Sequence, residues 1–453
     1  MTEQENKGLE ERETKNKFWK GVLVGALVMA FCGLLVVGLA AGIWLVGRGA
    51  KIKEGSGLQT SITEQQEGVV EVDDYELDMA VIGPKLKYIE QLIDQYYLFD
   101  EDEERENPID WIYSGYVYSL QDPYSSYYTA EEYQSLMESA EGEYCGIGVM
   151  VSQNVYTGIV TVVKVFKGAP AEVAGMLPGD IITAVGDIDI SGMDLSLVVS
   201  DHIKGEEGTE VSLTVYRDST GEYIDMTMER AVVQNPTVEY EMLDNQIGYV
   251  YLSSIEEVST EQFIKAVEDL EEQEMESLIL DLRNNGGGVV TAAEGISDYL
   301  IEDGKTIVSF KGKGVQDSTY VAKDGHEIEV PMVVLVNEQS ASASEVLTGA
   351  LRDNDTAIVV GTKTFGKGIA QGIFPIPDGS AVKLTTAYYY VPSGECIHKI
   401  GIEPDVAVEL DEELKSMVEI PKEEDNQLQV AIDVLLEGEK VVKERLETES
   451  VLE

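Results

Sequence analysis

Residues 332–352 read MVVLVNEQSASASEVLTGALR, and this stretch sets the fold class. Five consecutive apolar residues, Met332–Val336, are what a strand buried on both faces requires. A small polar turn follows, then an apolar helix over Ser342–Arg352. Working outward, the same alternation recurs on both sides. Strands are predicted at Ile247–Leu252, Ser277–Leu282 and Ala357–Val360, and helices at Thr260–Glu271 and Val290–Leu300. Residues 246–410 therefore predict an α/β core.

Residues 140–232 have a different texture. Alternation over Ile159–Val165 leads to a short helix at Ala169–Ala174, and further strands are predicted at Ile181–Val185 and Val211–Tyr216. Turn signals at Pro178-Gly179-Asp180 and Gly186-Asp187 separate them, and a helix is expected near Asp194–His202. Short strands with two helices suit a compact, partly open β barrel. From about 75 to 133 apolar residues recur at helical spacing until Asp122-Pro123-Tyr124 breaks the pattern at a turn. The chain is thus read as a tail 1–20, an apolar span 21–47, a polar linker 48–74, a helical region 75–139, the strand-rich unit 140–232, a core 233–410 and an acidic tail 411–453. One apolar helix, Leu428–Leu436, lies in that tail.

From Gly21 to Gly47 no charged residue occurs, and about 20 apolar residues suffice to span a bilayer. A cleaved signal has an apolar core of only about 7–15 residues, so a retained transmembrane helix is expected. Lys7, Arg12, Lys15, Lys17 and Lys20 precede the run, against Arg48, Lys51 and Lys53 after it. That bias predicts a cytoplasmic N-terminus and an extracytoplasmic C-terminal part at the cell membrane. The formal net charge is −53, which repels phosphate backbones and excludes nucleic acid as a partner. Cys32, Cys145 and Cys396 are the only cysteines, and the three histidines are far apart, so neither a metal site nor another cofactor is expected.

Three segments carry chemistry. In Ser340-Ala-Ser-Ala-Ser-Glu345, Ser342 and Glu345 have the spacing of a helix capping box, and a hydroxyl at a helix N-terminus also sits where N–H groups and the dipole stabilise negative charge. The two readings are compatible. No histidine is near enough in sequence to suggest a base. Gly361-Thr-Lys-Thr-Phe-Gly-Lys-Gly368 instead offers Lys367, an effective base if apolar neighbours such as Phe365 and Ile369 keep it neutral. A phosphate-binding loop is the rival motif, but Gly368 stands where Ser or Thr is required. Gln371 is placed to orient the amine. Asp281-Leu-Arg-Asn-Asn-Gly-Gly-Gly288 ends a strand with three glycines, a nest of N–H groups suited to an oxyanion, or a plain turn.

Taken together and in this order, these segments resemble the carboxyl-terminal processing peptidases, a Ser/Lys family with a crotonase-like α/β core. Pro392-Ser393-Gly394 and Gly401-Ile-Glu-Pro-Asp405 extend the likeness, which runs from about 75 to 410. The resemblance implies Ser342 as nucleophile, Lys367 as general base, Gln371 as its orienter, and N–H groups of Ala343 and of Gly287 or Gly288 as the oxyanion hole. Asp353, eleven residues after the serine, occupies a place that some members count as catalytic. Gly286 departs from the proline that relatives often carry.

Residues 140–232 resemble a PDZ domain. Gly146-Ile147-Gly148-Val149 matches the loop that binds a peptide's terminal carboxylate, and Pro170–Asp180 matches the segment that follows in that family. The implied activity is a serine endopeptidase acting on proteins or peptides with free apolar C-termini. A non-catalytic PDZ adaptor on a degenerate scaffold is the second reading, and the presence of both Ser342 and Lys367 speaks against it. A crotonase-type hydratase is a more distant third. The helix Leu428–Leu436 is a candidate homodimer surface, as the ends of similar proteins are.

Overall fold

A computed structural model describes residues 77–98, 107–314, 316–415, 417 and 420–450. The apolar run 21–47, the tail before it and the linker after it lie outside these residues. Two compact units divide at Glu103/Glu104. The described part of the first is one helix, α1 (Met79–Tyr96), capped by Asp78, whose side chain accepts from the Ala80 N–H.

The second unit opens with α2 (Pro108–Tyr118), the short strand β1 (Ser126–Tyr128) and α3 (Ala130–Glu141). A full capping box starts α3: Thr129 N–H donates to Glu132 at 2.8 Å and Glu132 N–H to Thr129 Oγ1 at 3.2 Å. Strands β2 (Glu143–Gly146), β3 (Val149–Gln153) and β4 (Val160–Val165) follow, then α4 (Pro170–Val173), β5 (Ile181–Val185) and β6 (Ile188–Asp189). After α5 (Leu195–Leu197) the chain makes one π-helical turn, Val198–Ile203, and continues into β7 (Glu210–Arg217), β8 (Glu222–Glu229) and β9 (Ala231–Gln234). Strand order is β3-β4-β5-β7-β8, with β6 on β5 and a separate β2-β9 pair. The expected barrel is thus an open antiparallel sheet around its own core, which includes Ile147, Val162, Met176, Val198 and Val215.

The remaining elements are β10 (Val238–Leu243), β11 (Ile247–Leu252), α6 (Ser259–Glu272), β12 (Ser277–Asp281), α7 (Val290–Leu300), β13 (Thr306–Gly312), β14 (Ser318–Val321) and β15 (Met332–Val336). Then come α8 (Ala343–Asp353), β16 (Ile358–Gly361), β17 (Ile369–Pro375), β18 (Ala381–Tyr390), β19 (Val406–Ala407), α9 (Asn426–Glu437) and α10 (Glu439–Ser450). The central sheet runs β10-β11-β12-β15-β16-β19, parallel except for β10. Alternate residues of its strands serve opposite faces. Leu278, Leu280, Val334 and Val336 pack with Phe263, Ile296 and Leu347 of α6, α7 and α8. Ile279, Val333, Leu335 and Val360 pack with Leu428, Ala431 and Val434 of α9 and Val442 of α10. Burial on both faces is why these strands read as unbroken apolar runs.

Two features depart from expectation. Residues 411–453 are not merely an acidic tail with one helix: α9 and α10 form the second helical layer of the sheet. A separate sheet, β1-β18-β13-β14 with β17 on β18, flanks the core, and β1 reaches it from far upstream by pairing with β18.

Candidate active site

The C-terminal ends of β12, β15 and β16 deliver the three motif loops to one place, as open parallel sheets do with their ligand crevices. Three serines lie at the junction of β15 and α8, Ser340 and Ser342 in the connecting loop and Ser344 in the first turn of the helix, and their surroundings separate them. Ser340 and Ser344 are fully buried, and their hydroxyls donate to the carbonyls of Leu282 at 2.8 Å and Asn285 at 3.0 Å. Ser342 is the one that keeps some exposure, 9%. It stands at the sharp strand-to-helix turn with φ +58° and ψ −118°, in the region that side chains rarely adopt. Such a turn lifts a side chain out of the strand at the N-terminus of the helix.

Glu345 fixes this turn and the lysine loop together. The carboxylate is fully buried and accepts four hydrogen bonds. Oε2 takes the Ser342 N–H at 2.9 Å and the Lys367 N–H at 2.8 Å. Oε1 takes the Thr364 hydroxyl at 2.6 Å and the Gly366 N–H at 2.7 Å. One side chain therefore ties the main chains of both expected catalytic residues to the same pair of atoms. The serine loop and lysine loop also join directly, Phe365 N–H to the Ser340 carbonyl at 3.1 Å.

Lys367 is half-buried, and its ammonium lies 4.8 Å from the centre of the Tyr124 ring. Burial lowers its pKa below the ordinary lysine value, and Lys383 adds to the effect; Glu345 and Asp122 oppose it. The Tyr124 face favours the charged form and so works against this shift. The turn 122–125 is itself braced: Ser125 donates to Asp122 at 2.6 Å and accepts the Thr385 N–H of β18 at 3.1 Å.

The glycine loop after β12 packs against the serine from the other side. Asn285, fully buried, is its hub. Its side chain donates to the Leu252 carbonyl at 2.7 Å and accepts the Gly287 N–H at 2.9 Å and the Ser344 hydroxyl at 2.8 Å. Gly287 has φ +88°, and a Cβ there would stand 2.4 Å from the Ala341 carbonyl and 2.7 Å from the Ala343 nitrogen. Gly288, at φ +145°, abuts Ile255, whose carbonyl accepts the Val289 N–H at 2.7 Å. Of the expected oxyanion donors, the Gly287 N–H is engaged by Asn285, whereas those of Ala343 and Gly288 have no protein acceptor among the described residues. Gly286 needs no glycine: a Cβ there would meet nothing within 4 Å.

Gln371 sits on β17 where the register with β18 shifts, and its amide nitrogen donates to Thr385 Oγ1 at 3.4 Å. Asp353 is not gathered into the site. Its carboxylate pairs with Arg352 and accepts the Ser393 N–H at 2.9 Å. It ends the helix that Ser342 begins, which at 1.5 Å per residue puts it roughly 16 Å away. Asp353 therefore anchors the 392–394 turn. In the strand-rich unit, Ile147 is buried, and its carbonyl accepts the Ala171 N–H at 2.9 Å. Gly148 has φ +76° and touches Ala169 so closely that a Cβ would come within 2.2 Å of it. Gly146 ends β2 and Val149 begins β3, whose only strand partner among the described residues is β4. In the sequence Glu345 reads as a cap alone, and Tyr124, Asn285 and Ser344 carry no signal of a role. Their places depend on contacts between distant segments.

Residues 246–408 match peptidase family S41, and residues 161–217 match the PDZ domain family. The latter match begins after Gly146–Val149. The carboxy-terminal processing protease CtpA of Bacillus subtilis (strain 168) is 36% identical over 324 residues, which cover 72% of this chain and 68% of that protein. A probable CtpA-like serine protease of Staphylococcus aureus (strain COL) is 38% identical over 320 residues, covering 70% of this chain and 62% of that protein. Among solved structures, a photosystem II D1 C-terminal processing protease aligns with 75% of this chain and 90% of its own, at 28% identity and a TM-score of 0.41.

Proposed function

The chain belongs to peptidase family S41, the carboxy-terminal processing proteases, and from that membership we propose a serine endopeptidase whose nucleophile is Ser342 and whose general base is Lys367. The observation that carries this reading is the shared carboxylate: Glu345 Oε2 accepts the N–H of both residues. In this mechanism neutral Lys367 takes the Ser342 Oγ proton as the oxygen adds to the scissile carbonyl. The oxyanion is met by the N–H groups of Ala343 and Gly288, at the start of a helix whose dipole favours negative charge. Collapse of the adduct expels the amine, which takes the proton from Lys367, and leaves an acyl ester on Ser342. Water then attacks that ester with Lys367 again as base. Gln371, with its amide nitrogen on Thr385, keeps its carbonyl oxygen for the lysine amine.

The PDZ domain supplies substrate selection. Strand β3 is an edge, so an extended peptide can add beside it, with its terminal carboxylate at the N–H groups of Gly146–Val149. Charge-assisted bonds of that kind contribute about 1.5–3 kcal/mol. A peptide with an apolar free C-terminus is therefore expected to be cut at least tenfold more efficiently than its C-terminal amide, since 1.4 kcal/mol is one decade. Ser342→Ala should cut neither. Equal kcat/KM for acid and amide would remove carboxylate capture; cleavage by Ser342→Ala would remove the nucleophile.

The apolar run 21–47 would anchor the peptidase in the membrane with residues from about 54 onward outside the cytoplasm. Protease added to intact spheroplasts should then degrade the C-terminal part. Its complete protection, with loss of the N-terminal tail, would reverse the orientation.

A further inference from the structure

Tyr389, on β18, takes no part in the mechanism above, yet it touches both catalytic main chains. Its side chain is 1% exposed. The hydroxyl lies 3.0 Å from the Ser342 carbonyl oxygen and is also hydrogen-bonded to the Lys367 carbonyl oxygen. Burial above all, with Glu345 next, raises its pKa well above that of an ordinary phenol, so the hydroxyl keeps its proton, and its single O–H is shared between the two carbonyl oxygens. Its own N–H donates to the Gly368 carbonyl at 3.1 Å, which fixes the strand against the lysine loop.

We propose that Tyr389 is a positioning residue that sets the spacing between nucleophile and base by holding their two carbonyls, opposite the Glu345 carboxylate that holds their two N–H groups. This inference rests on the Ser342/Lys367 reading and adds to it. Two features say why such a hold is needed. Ser342 has a strained φ of +58°, a conformation that persists only where its surroundings over-determine it. Lys367 stands between Gly366, at φ +88°, and Gly368, so its own backbone neighbours restrain it little. The Ser342 carbonyl has other donors, the N–H groups of Glu345 at 2.9 Å and Val346 at 3.0 Å. The lysine side is therefore where loss of the hydroxyl should be felt most.

The test is Tyr389→Phe in the full chain, assayed on a peptide with a free C-terminus across pH and well below the variant's Tm. The expected result is a fall in kcat of at least tenfold with KM within about twofold. The rising limb of the pH–rate profile should move to higher pH, because a loosened Lys367 gains water and recovers its charged form. A merely structural tyrosine would lower Tm and leave kcat and the pH limb of the folded enzyme unchanged, and that outcome overturns the proposal. Lys367→Arg is run beside it. If Lys367→Arg keeps most of the wild-type rate, the base assignment fails and the positioning role falls with it. If Lys367→Arg is inactive while Tyr389→Phe matches wild type, only the positioning role fails.

Discussion

Ser342 sits in a backbone conformation that costs an L-residue of order 1–3 kcal/mol, at the position where the proposed mechanism needs a hydroxyl to project from a turn. Ser342→Gly and Ser342→Ala should both be inactive, but they should differ in stability. Glycine relieves the strain and gives back roughly 0.4–1 kcal/mol through the freedom it adds to the unfolded chain. Ser342→Gly is therefore expected to be the more stable by about 1 kcal/mol in denaturant unfolding. A less stable glycine variant would mean that the turn is not strained. The glycine loop makes a second residue-level contrast. Gly287→Ala would drive a Cβ to 2.4 Å from the Ala341 carbonyl, while at Gly286 the space is open. The first substitution should displace the Ala343 N–H, 2.7 Å from that Cβ, and lower kcat about 100-fold or more, the size expected for losing one oxyanion donor, and the second should leave it within a few-fold. Equal effects of the two in a peptidase assay would contradict this geometry of the loop.

At the scale of elements, α9 does more than cover the sheet. Asp425 caps it, accepting the N–H groups of Gln427 at 3.1 Å and Leu428 at 3.0 Å. The same carboxylate pairs with Arg283, which also pairs with Asp281 at the end of β12. All three side chains are nearly buried, and they couple the second helical layer to the strand that carries the glycine loop. Asp425→Ala removes a cap and leaves Arg283 half-paired, so a loss of roughly 3 kcal/mol or more is expected. Limited proteolysis should then open the segment between 410 and 426 before the core. Wild-type stability in that variant would show that α9 docks without the ion pair. In the sequence, α9 is visible through its apolar period and α10 is not, because among the described side chains of α10 Val442 and Leu446 join the core and most of the others are charged. The parallel strands were legible because burial on both faces leaves continuous apolar runs such as 332–336. The flanking sheet was not, since pairing such as Ser126 with Lys383 depends on residues far apart in the chain. The same limit hid Tyr124, Asn285 and Tyr389, each of which acts on a loop remote in sequence. The segments that carry Ser342 and Lys367 stand out in the sequence because each motif is local.

For the molecule as a whole, the two-sided α/β core, the flanking sheet and the PDZ domain have separable tasks. The core holds the serine turn and glycine loop at the ends of β15 and β12. The flanking sheet contributes, both from β18, Tyr389 and the Thr385 N–H that braces the 122–125 turn beside Lys367. The PDZ sheet ends at β3, the edge where the proposed capture of a substrate terminus would take place. All of this serves peptide hydrolysis only if Lys367 is neutral when Ser342 attacks, which burial makes possible by lowering its pKa. A lowered lysine pKa means that raising pH converts the inactive charged form to the active base earlier than for a lysine in water. The decisive measurement is the pH–rate profile of wild type beside Lys367→Arg on one free-acid peptide, with the fold of each checked by circular dichroism. Arginine keeps the positive charge but does not deprotonate in proteins. The expected result is a wild-type rate that rises with pH and levels off below the ordinary lysine value of about 10.4, and a folded Lys367→Arg slower by orders of magnitude at every pH. A folded Lys367→Arg that retains a large fraction of the wild-type rate would contradict a lysine base.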